Sequence, residues 1–493
     1  MRSYHHAHPV DIVLSVSRFL GLLIFPALRA LYSLLFTMDH LIDWLRGAWF
    51  DLIVIFLIVG LGFIRWYGRG YHLEKTGIRY RQGVFFVKTQ LVPFEKLSVV
   101  TKESLFYLMP LRAVYVCADT DGGSPRAYDF SMLLKKDEAQ TLVERCRVRQ
   151  KRSMERVYLP KNRNIAILSL IASNSLGGVL FLSTLFSGAG KVFGRSIERE
   201  VFDQITTVTQ VLVQGIPPVA AIIGLTILGG WSVSFLKNLV RNLRFSAARR
   251  GAYLRIESGL FSRRLYDLTV ARINLIEIQQ NLFTKALGLY TVFLHANGYG
   301  KKKDELSVLM PSCDRASFRD NLRLLLPEFS GCKPTVRPRV RYLTRFLFPP
   351  VAWIVAVTCA WVVVWRWIPD LRSTVLFLWI MSSIPCVWYL IVKLVSFFHN
   401  GIGVQQGVYT LQYTFLYRFK TVIVPAQRIV SVQIKRSFTQ FFSGCCDVVI
   451  DTFSEGKKRH VIPNLPLCKA QEILHCTNLP EPILLRKEKT PSV

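Results

Sequence analysis

Acidic residues are scarce in this chain of 493 residues: 32 Asp+Glu stand against 63 Lys+Arg. Charged residues of both signs make up only 19%, while 51% are hydrophobic. That balance is too apolar for an ordinary soluble chain and points to membrane spans. The basic excess then has two destinations, nucleic acid or an anionic membrane surface. Where the charge sits decides between them.

Metal-ligand spacing is missing as well. The ten cysteines are scattered and no CxxC occurs. Structural zinc needs clustered ligands at set spacing, so the cysteines read as reduced, structural thiols. His5, His6 and His8 form an N-terminal cluster, read as solvated rather than metal-binding. Catalytic signatures are missing too: there is no GxSxG and no HExxH. Gly190-Lys191 lacks the first glycine of a phosphate loop, because position 185 is Leu, and its Ser/Thr, because position 192 is Val. Neither a metal, nor a cofactor, nor a catalytic residue is expected. Carboxylates are nearly absent from the apolar runs, with Asp11 and Asp51 at their ends. A proton- or cation-coupled transporter usually needs a buried one.

Six long apolar segments are present, and they come in pairs: 12–36 with 49–66, 165–186 with 211–236, and 348–367 with 374–398. Each is long enough to cross a hydrocarbon core of about 30 Å at about 1.5 Å per residue. The first is interrupted by Arg18 and Arg29 and kinked at Pro26. A polar module follows each pair, at 68–163, 237–347 and 399–493. The first holds 19 Lys+Arg against 10 Asp+Glu, the second 21 against 8, and the third, counted from Lys393, 13 against 6. The turns inside the pairs (38–48, 187–212 and 368–374) hold five against six. The positive-inside rule places the modules and both termini in the cytoplasm. The basic charge is therefore close to the membrane, which favours lipid over nucleic acid.

The modules are copies of one another. Lys96-Leu97 leads to Leu105-Phe106, a strand-like run at 113–118 and Gly122. The same order returns 176 residues later as Arg272-Ile273, Leu282-Phe283, Gly288, 290–295 and Asn297-Gly298. It returns again after 156 more as Arg428-Ile429, Phe438, Gly444 and 447–450. Upstream, 77–93 aligns without a gap on 409–425, matching Lys88-Thr89 to Lys420-Thr421 and Val92-Pro93 to Val424-Pro425. Gly83 matches Gly259. Each module ends in a helical pattern, at 137–148, 314–326 and 467–476. Internal repeats of this kind define the architecture before any single motif does.

This order resembles the second type of bacterial pleckstrin-homology-like (PH-like) domain. Three such units behind three helix pairs resemble the YdbT-like membrane proteins, down to His8-Pro9 before the first helix. The resemblance implies a membrane α-helical protein with three transmembrane helix pairs (1–67, 164–236, 348–398). They would carry three cytoplasmic PH-like β-barrels (68–163, 237–347, 399–493), each closed by a C-terminal helix. It also implies a family mostly without assigned chemistry, some members of which are thought to help bacteria tolerate membrane-active bacteriocin peptides. Two positions depart from the pattern: Arg112 stands where the other copies have Gly288 and Gly444, and Phe415 replaces the glycine of Gly83 and Gly259.

Within the repeat, the Leu-Phe pair is expected in the core and the following hairpin carries a variable tip. Lys301, Lys302 and Lys303 occupy that tip in the second module, and Lys457, Lys458 and Arg459 in the third. The first has only Arg126 there. These residues are the expected contact with lipid or an anionic partner, since each cation near an anionic leaflet is worth about 1 kcal/mol. The bland alternative is a solvated turn. The expected function is a non-enzymatic binding or scaffold surface at the inner leaflet. The alternative is a transport or export component whose helices form a path gated by the modules. Expected partners are anionic membrane lipids, with an antimicrobial peptide or another membrane protein of the same family as further candidates.

Overall fold

The computed structural model describes residues 4–14, 16, 56, 58–83, 86–122, 127–146, 155–173, 218–301, 307–329, 331–367, 372–453 and 457–475. Most of the two N-terminal apolar segments and the turn at 187–212 lie outside them.

Short β-rich segments with turn glycines become antiparallel sheets. In the first module β1 (His5–His6), β2 (Gly70–Leu73), β3 (Gly77–Gln82) and β4 (Lys88–Pro93) form one sheet in that order. Strand β3 shows the reason: Ile78 and Tyr80 point into the core while Arg79 and Arg81 point away, the two-residue period of a half-buried strand. Then come β5 (Leu97–Ser104), β6 (Ala113–Thr120), β7 (Phe130–Lys135) and the helix α1 (Lys136–Cys146). Ala139, Leu142, Val143 and Cys146 form the buried stripe of α1 and close the first core with Ile78, Val116 and Phe130.

The second module follows β8 (Glu155–Tyr158) and the apolar helices α2 (Asn162–Ala172) and α3 (Pro218–Asn242). It consists of β9 (Ser246–Arg250), β10 (Tyr253–Ser258), β11 (Arg263–Thr269), β12 (Ile273–Gln280), α4 (Leu282–Ala286), β13 (Leu289–Ala296), β14 (Val308–Asp314) and α5 (Arg315–Leu325). Helices α6 (Leu343–Trp367) and α7 (Arg372–His399) lead to the third module. This has β15 (Gly401–Gln405), β16 (Val408–Phe415), β17 (Arg418–Pro425), β18 (Ile429–Lys435), α8 (Phe438–Ser443), β19 (Cys445–Phe453), β20 (Lys457–Pro466) and α9 (Leu467–His475). Among the described residues two helices are long and apolar enough to cross a membrane, Val340–Trp367 and Leu378–His399.

Each module contributes strands to two sheets and adds a helix, and two of the four sheets among the described residues run across module boundaries. Strand β5 of the first module pairs antiparallel with β11 of the second, from Ser104↔Arg263 to Val99↔Leu268. Strand β12 of the second pairs with β17 of the third, from Ile276↔Ile423 to Gln280↔Phe419. The results are a seven-stranded sheet (β7-β6-β5-β11-β10-β9-β8) and a six-stranded sheet (β14-β13-β12-β17-β16-β15). Among the described residues the two sheets of one module are not joined to each other by strand pairing. A strand edge is a row of unpaired N–H and C=O groups, and here the edges satisfy one another across modules.

Both departures from the repeat have a structural outcome. Arg112 adopts the left-handed conformation (φ 50°) that Gly288 (67°) and Gly444 (64°) adopt, so the turn is kept with a side chain added. At the other, module 3 turns on Leu416 (φ 54°) instead of on a glycine.

Candidate inter-module junctions and helix-side surface

The strands β6, β13 and β19 each run from a connector at one end of the module to a hairpin tip at the other. That polarity separates the two candidate surfaces. Eight residues of β13 at about 3.3 Å each hold its connector and its tip roughly 26 Å apart.

At the tips, cations of a later module meet carboxylates of an earlier one. Lys301 Nζ lies 2.6 Å from Asp119 Oδ2, with both side chains buried. Arg272 reaches Asp121 at 2.6 Å and Asn297 donates to the Asp121 carbonyl at 2.8 Å, while at the connector end of the same junction Arg264 pairs with Glu103 at 2.7 Å. At the second junction Glu277, fully buried, accepts Lys420 at 2.5 Å, Lys458 at 2.7 Å and His295 at 3.0 Å. Arg428 donates to the Ala271 carbonyl at 2.8 Å.

The electrostatics of the two junctions differ. Burial pushes the Asp119 carboxyl up to about 6, against the opposing pull of Lys301. Burial would push Glu277 up as well. The His295 hydrogen bond and the ammonium groups of Lys458 and Lys420 overcome it and hold that carboxyl well below its usual range. His460, buried between Tyr413 (2.8 Å) and Thr452 (2.9 Å), is brought down to about 4 by burial and by Lys458.

The expected contact residues therefore divide. Lys301 and Lys458 are held at the junctions by carboxylates of the preceding module, whereas Arg459, 50% exposed, pairs with Asp451 of its own module at 3.1 Å. Lys302, Lys303, Arg126 and the side chain of Lys457 lie outside the described residues. His5 and His6 form the edge strand β1 beside Tyr71 and Gly70.

The opposite end of each module carries what the sequence placed in the core. Phe106, Phe283 and Phe438 are exposed, at 62, 66 and 80%, with Tyr107, Leu287, Phe441 and Phe442 beside them. The expectation of a buried Leu-Phe pair is thus corrected at the phenylalanine. These connectors stand against the apolar helices. Phe283 contacts Trp388 of α7 at a ring distance of 5.1 Å. Arg341 donates to the Ser443 carbonyl at 2.9 Å, and Arg345 bonds Thr439 and Ser443 of α8. Val10 and Leu14, at the start of the first apolar segment, pack on Leu108. A Leu-Phe pair looks like core in any sequence. Its neighbours in the chain gave no sign that the helix side would receive it.

The family model described as bacterial PH domain matches three times, over residues 20–150, 203–329 and 339–477. The chain belongs to the bacterial PH domain family. A curated relative, the transmembrane protein YdbT of Bacillus subtilis (strain 168), is 22% identical over 320 residues. That alignment covers 60% of this chain and 64% of the relative, so the chain spans just under two thirds of that protein's length. No solved structure matches the chain. Each family match joins a polar module to the apolar segment just before it, and the third takes in both segments of its pair.

Proposed function

We propose that this bacterial PH domain protein is a non-enzymatic platform held against the inner leaflet of a cell membrane. Three helix pairs would anchor it, with both termini and all three modules in the cytoplasm. The observation that carries this reading is the two-ended design of the modules. Exposed aromatic connectors lie at the helix side, while strand pairing and buried ion pairs fuse the modules into one body above them. Exposed aromatic patches of this kind mark contact with a membrane or partner. Trp388, Tyr389 and Lys393 form an interfacial band on α7, with the Lys393 ammonium 5.5 Å from the centre of the Tyr389 ring. Phe283 lies at that level.

Fusion gives the platform a fixed geometry, so that weak contacts made by several modules add in one complex. Tolerance of membrane-active bacteriocin peptides, implied by the family resemblance, would follow from occupying and stiffening the inner leaflet. The transport alternative needs a polar path. The groove along α7, lined by Leu376, Trp379, Ile384 and Trp388, offers the hydroxyl of Ser383 and no charged group.

Cysteine labelling tests the topology in intact cells. A membrane-impermeant maleimide is expected to reach Glu198→Cys from outside and not Lys302→Cys. The opposite pattern overturns the reading.

A further inference from the structure

A cavity of about 1080 Å³ opens between the connector of the first module and the β10–β11 hairpin of the second. Five cations line it: Lys102, Arg112, Lys136, Arg244 and Arg263. None of the five forms an ion pair among the described residues. Two carboxylates share the wall, Asp137 and Glu257, so the lining keeps a net positive charge. Arg264 also lines it but is already matched by Glu103. Burial, and then the nearby Lys136, push the Lys102 ammonium down against the opposing pull of Glu144.

Two of the arginines hold an unusual backbone. Arg112 (φ 50°) and Arg244 (φ 56°) are both left-handed, a conformation that costs a non-glycine residue energy. At the Arg112 position the other two repeats use Gly288 and Gly444. The first module therefore accepts strain where glycine would relieve it, and the side chain gained faces this cavity. Such strain concentrates at functional sites.

The place of the cavity indicates the source of the anion. The hairpin is tied to the last turns of apolar helix α3 by Gly259 N–H to the Leu243 carbonyl (2.8 Å) and Leu260 N–H to the Val240 carbonyl (3.2 Å). Phe106, Met109 and Phe261 stand exposed on its walls. Cations inside and exposed apolar side chains at the helix side match the two parts of a phospholipid.

We propose that this cavity binds the phosphate headgroup of an anionic phospholipid, with Arg112 and Arg244 as its principal ligands and the acyl chains beside Phe106 and Phe261. The proposal rests on the platform reading above, because it needs α3 to end at the bilayer surface.

The test is native mass spectrometry of the full-length protein in detergent, titrated with phosphatidylglycerol, phosphatidylcholine and soluble glycerol phosphate. Two variants are compared, Arg112→Gly/Arg244→Gly, which keeps the backbone geometry, and Lys102→Gln/Arg263→Gln. Preferential retention of phosphatidylglycerol, weakened roughly tenfold or more in each variant, is the expected result. The glycine variant is also expected to melt no lower than the wild type without lipid. Unchanged phosphatidylglycerol affinity in both variants overturns the site and leaves the platform standing, since that is judged by cysteine labelling. Glycerol phosphate binding as tightly as the lipid overturns the lipid assignment in favour of a free phosphoester.

Discussion

Lys301 of the second module and Asp119 of the first meet at 2.6 Å, with side chains 4% and 2% exposed. The equivalent tip of the third module does the same with another partner, Lys458 against Glu277 of the second. The tip cations thus point backwards along the chain, each to the module before. The tip of the first module carries Arg126 alone. Removing one member of a buried pair leaves the other uncompensated, so Lys301→Ala is expected to cost about 3 kcal/mol at neutral pH. Lys301→Leu/Asp119→Leu is expected to recover most of it, because two apolar groups need no counter-charge. Thermal melts of the full-length protein check both. A double variant as unstable as the single one sinks the latch interpretation.

The junctions should respond to acid with opposite signs. Asp119 is raised from 3.8 to about 6 in the folded chain. Protonation then favours the folded state, so the contribution of Asp119 to stability grows as pH falls from about 6 towards 3.8. Glu277 is held below its ordinary 4.5. Its stabilisation is complete above 4.5 and is lost as pH falls through the lowered folded value. Relative to Asp119→Asn, wild type should gain stability on mild acidification; relative to Glu277→Gln it should stay level and then lose it in stronger acid. Melting temperatures over a pH series give both differences, and a common sign contradicts the assignment.

Glycine at position 298 permits the close approach of the second tip to the first module. Its φ is 87°, and an added Cβ would lie 2.6 Å from the Asp119 Cβ. Gly122, the same repeat position one module earlier, has nothing within 4 Å and no left-handed φ. Gly298→Ala is expected to destabilise by about 2 kcal/mol, from backbone strain plus displacement of Asp119. Gly122→Ala should stay within about 0.5 kcal/mol of wild type. Equal effects would mean that the contact with Asp119 carries no weight.

Much of the fold was legible because it is written three times. The registers at Lys96, Arg272 and Arg428 located the second-sheet strands β5, β12 and β18, and the helical patterns at 137–148, 314–326 and 467–476 located the closing helices. What the repeat could not show is the pairing of β5 with β11 and β12 with β17. An edge strand looks alike in sequence whether it closes its own barrel or joins a neighbour. The latches were half legible: the tip lysines stood out, but their partners Asp119 and Glu277 are 182 and 181 residues away. Phe106, Phe283 and Phe438 misled because hydrophobicity reports the wish to leave water, not whether protein or lipid provides the shelter.

That distinction is open to measurement at α8. Phe438, Phe441 and Phe442 are exposed at 80, 63 and 74% on one short helix, anchored to the start of α6 through Arg341 and Arg345. Three exposed phenylalanines facing water would cost several kcal/mol relative to burial, about 1.5–3 each. Sheltering them in the acyl region removes that cost. A bimane label on Phe442→Cys, in a background without the exposed Cys359 and Cys468, should be quenched by lipids carrying a spin label near the top of the acyl chain. The same label on Lys302→Cys, which the sequence puts in the hairpin tip of the second module, should not be. Quenching at both sites would bring the tips down to the bilayer. Quenching at neither would leave the connectors to a protein partner.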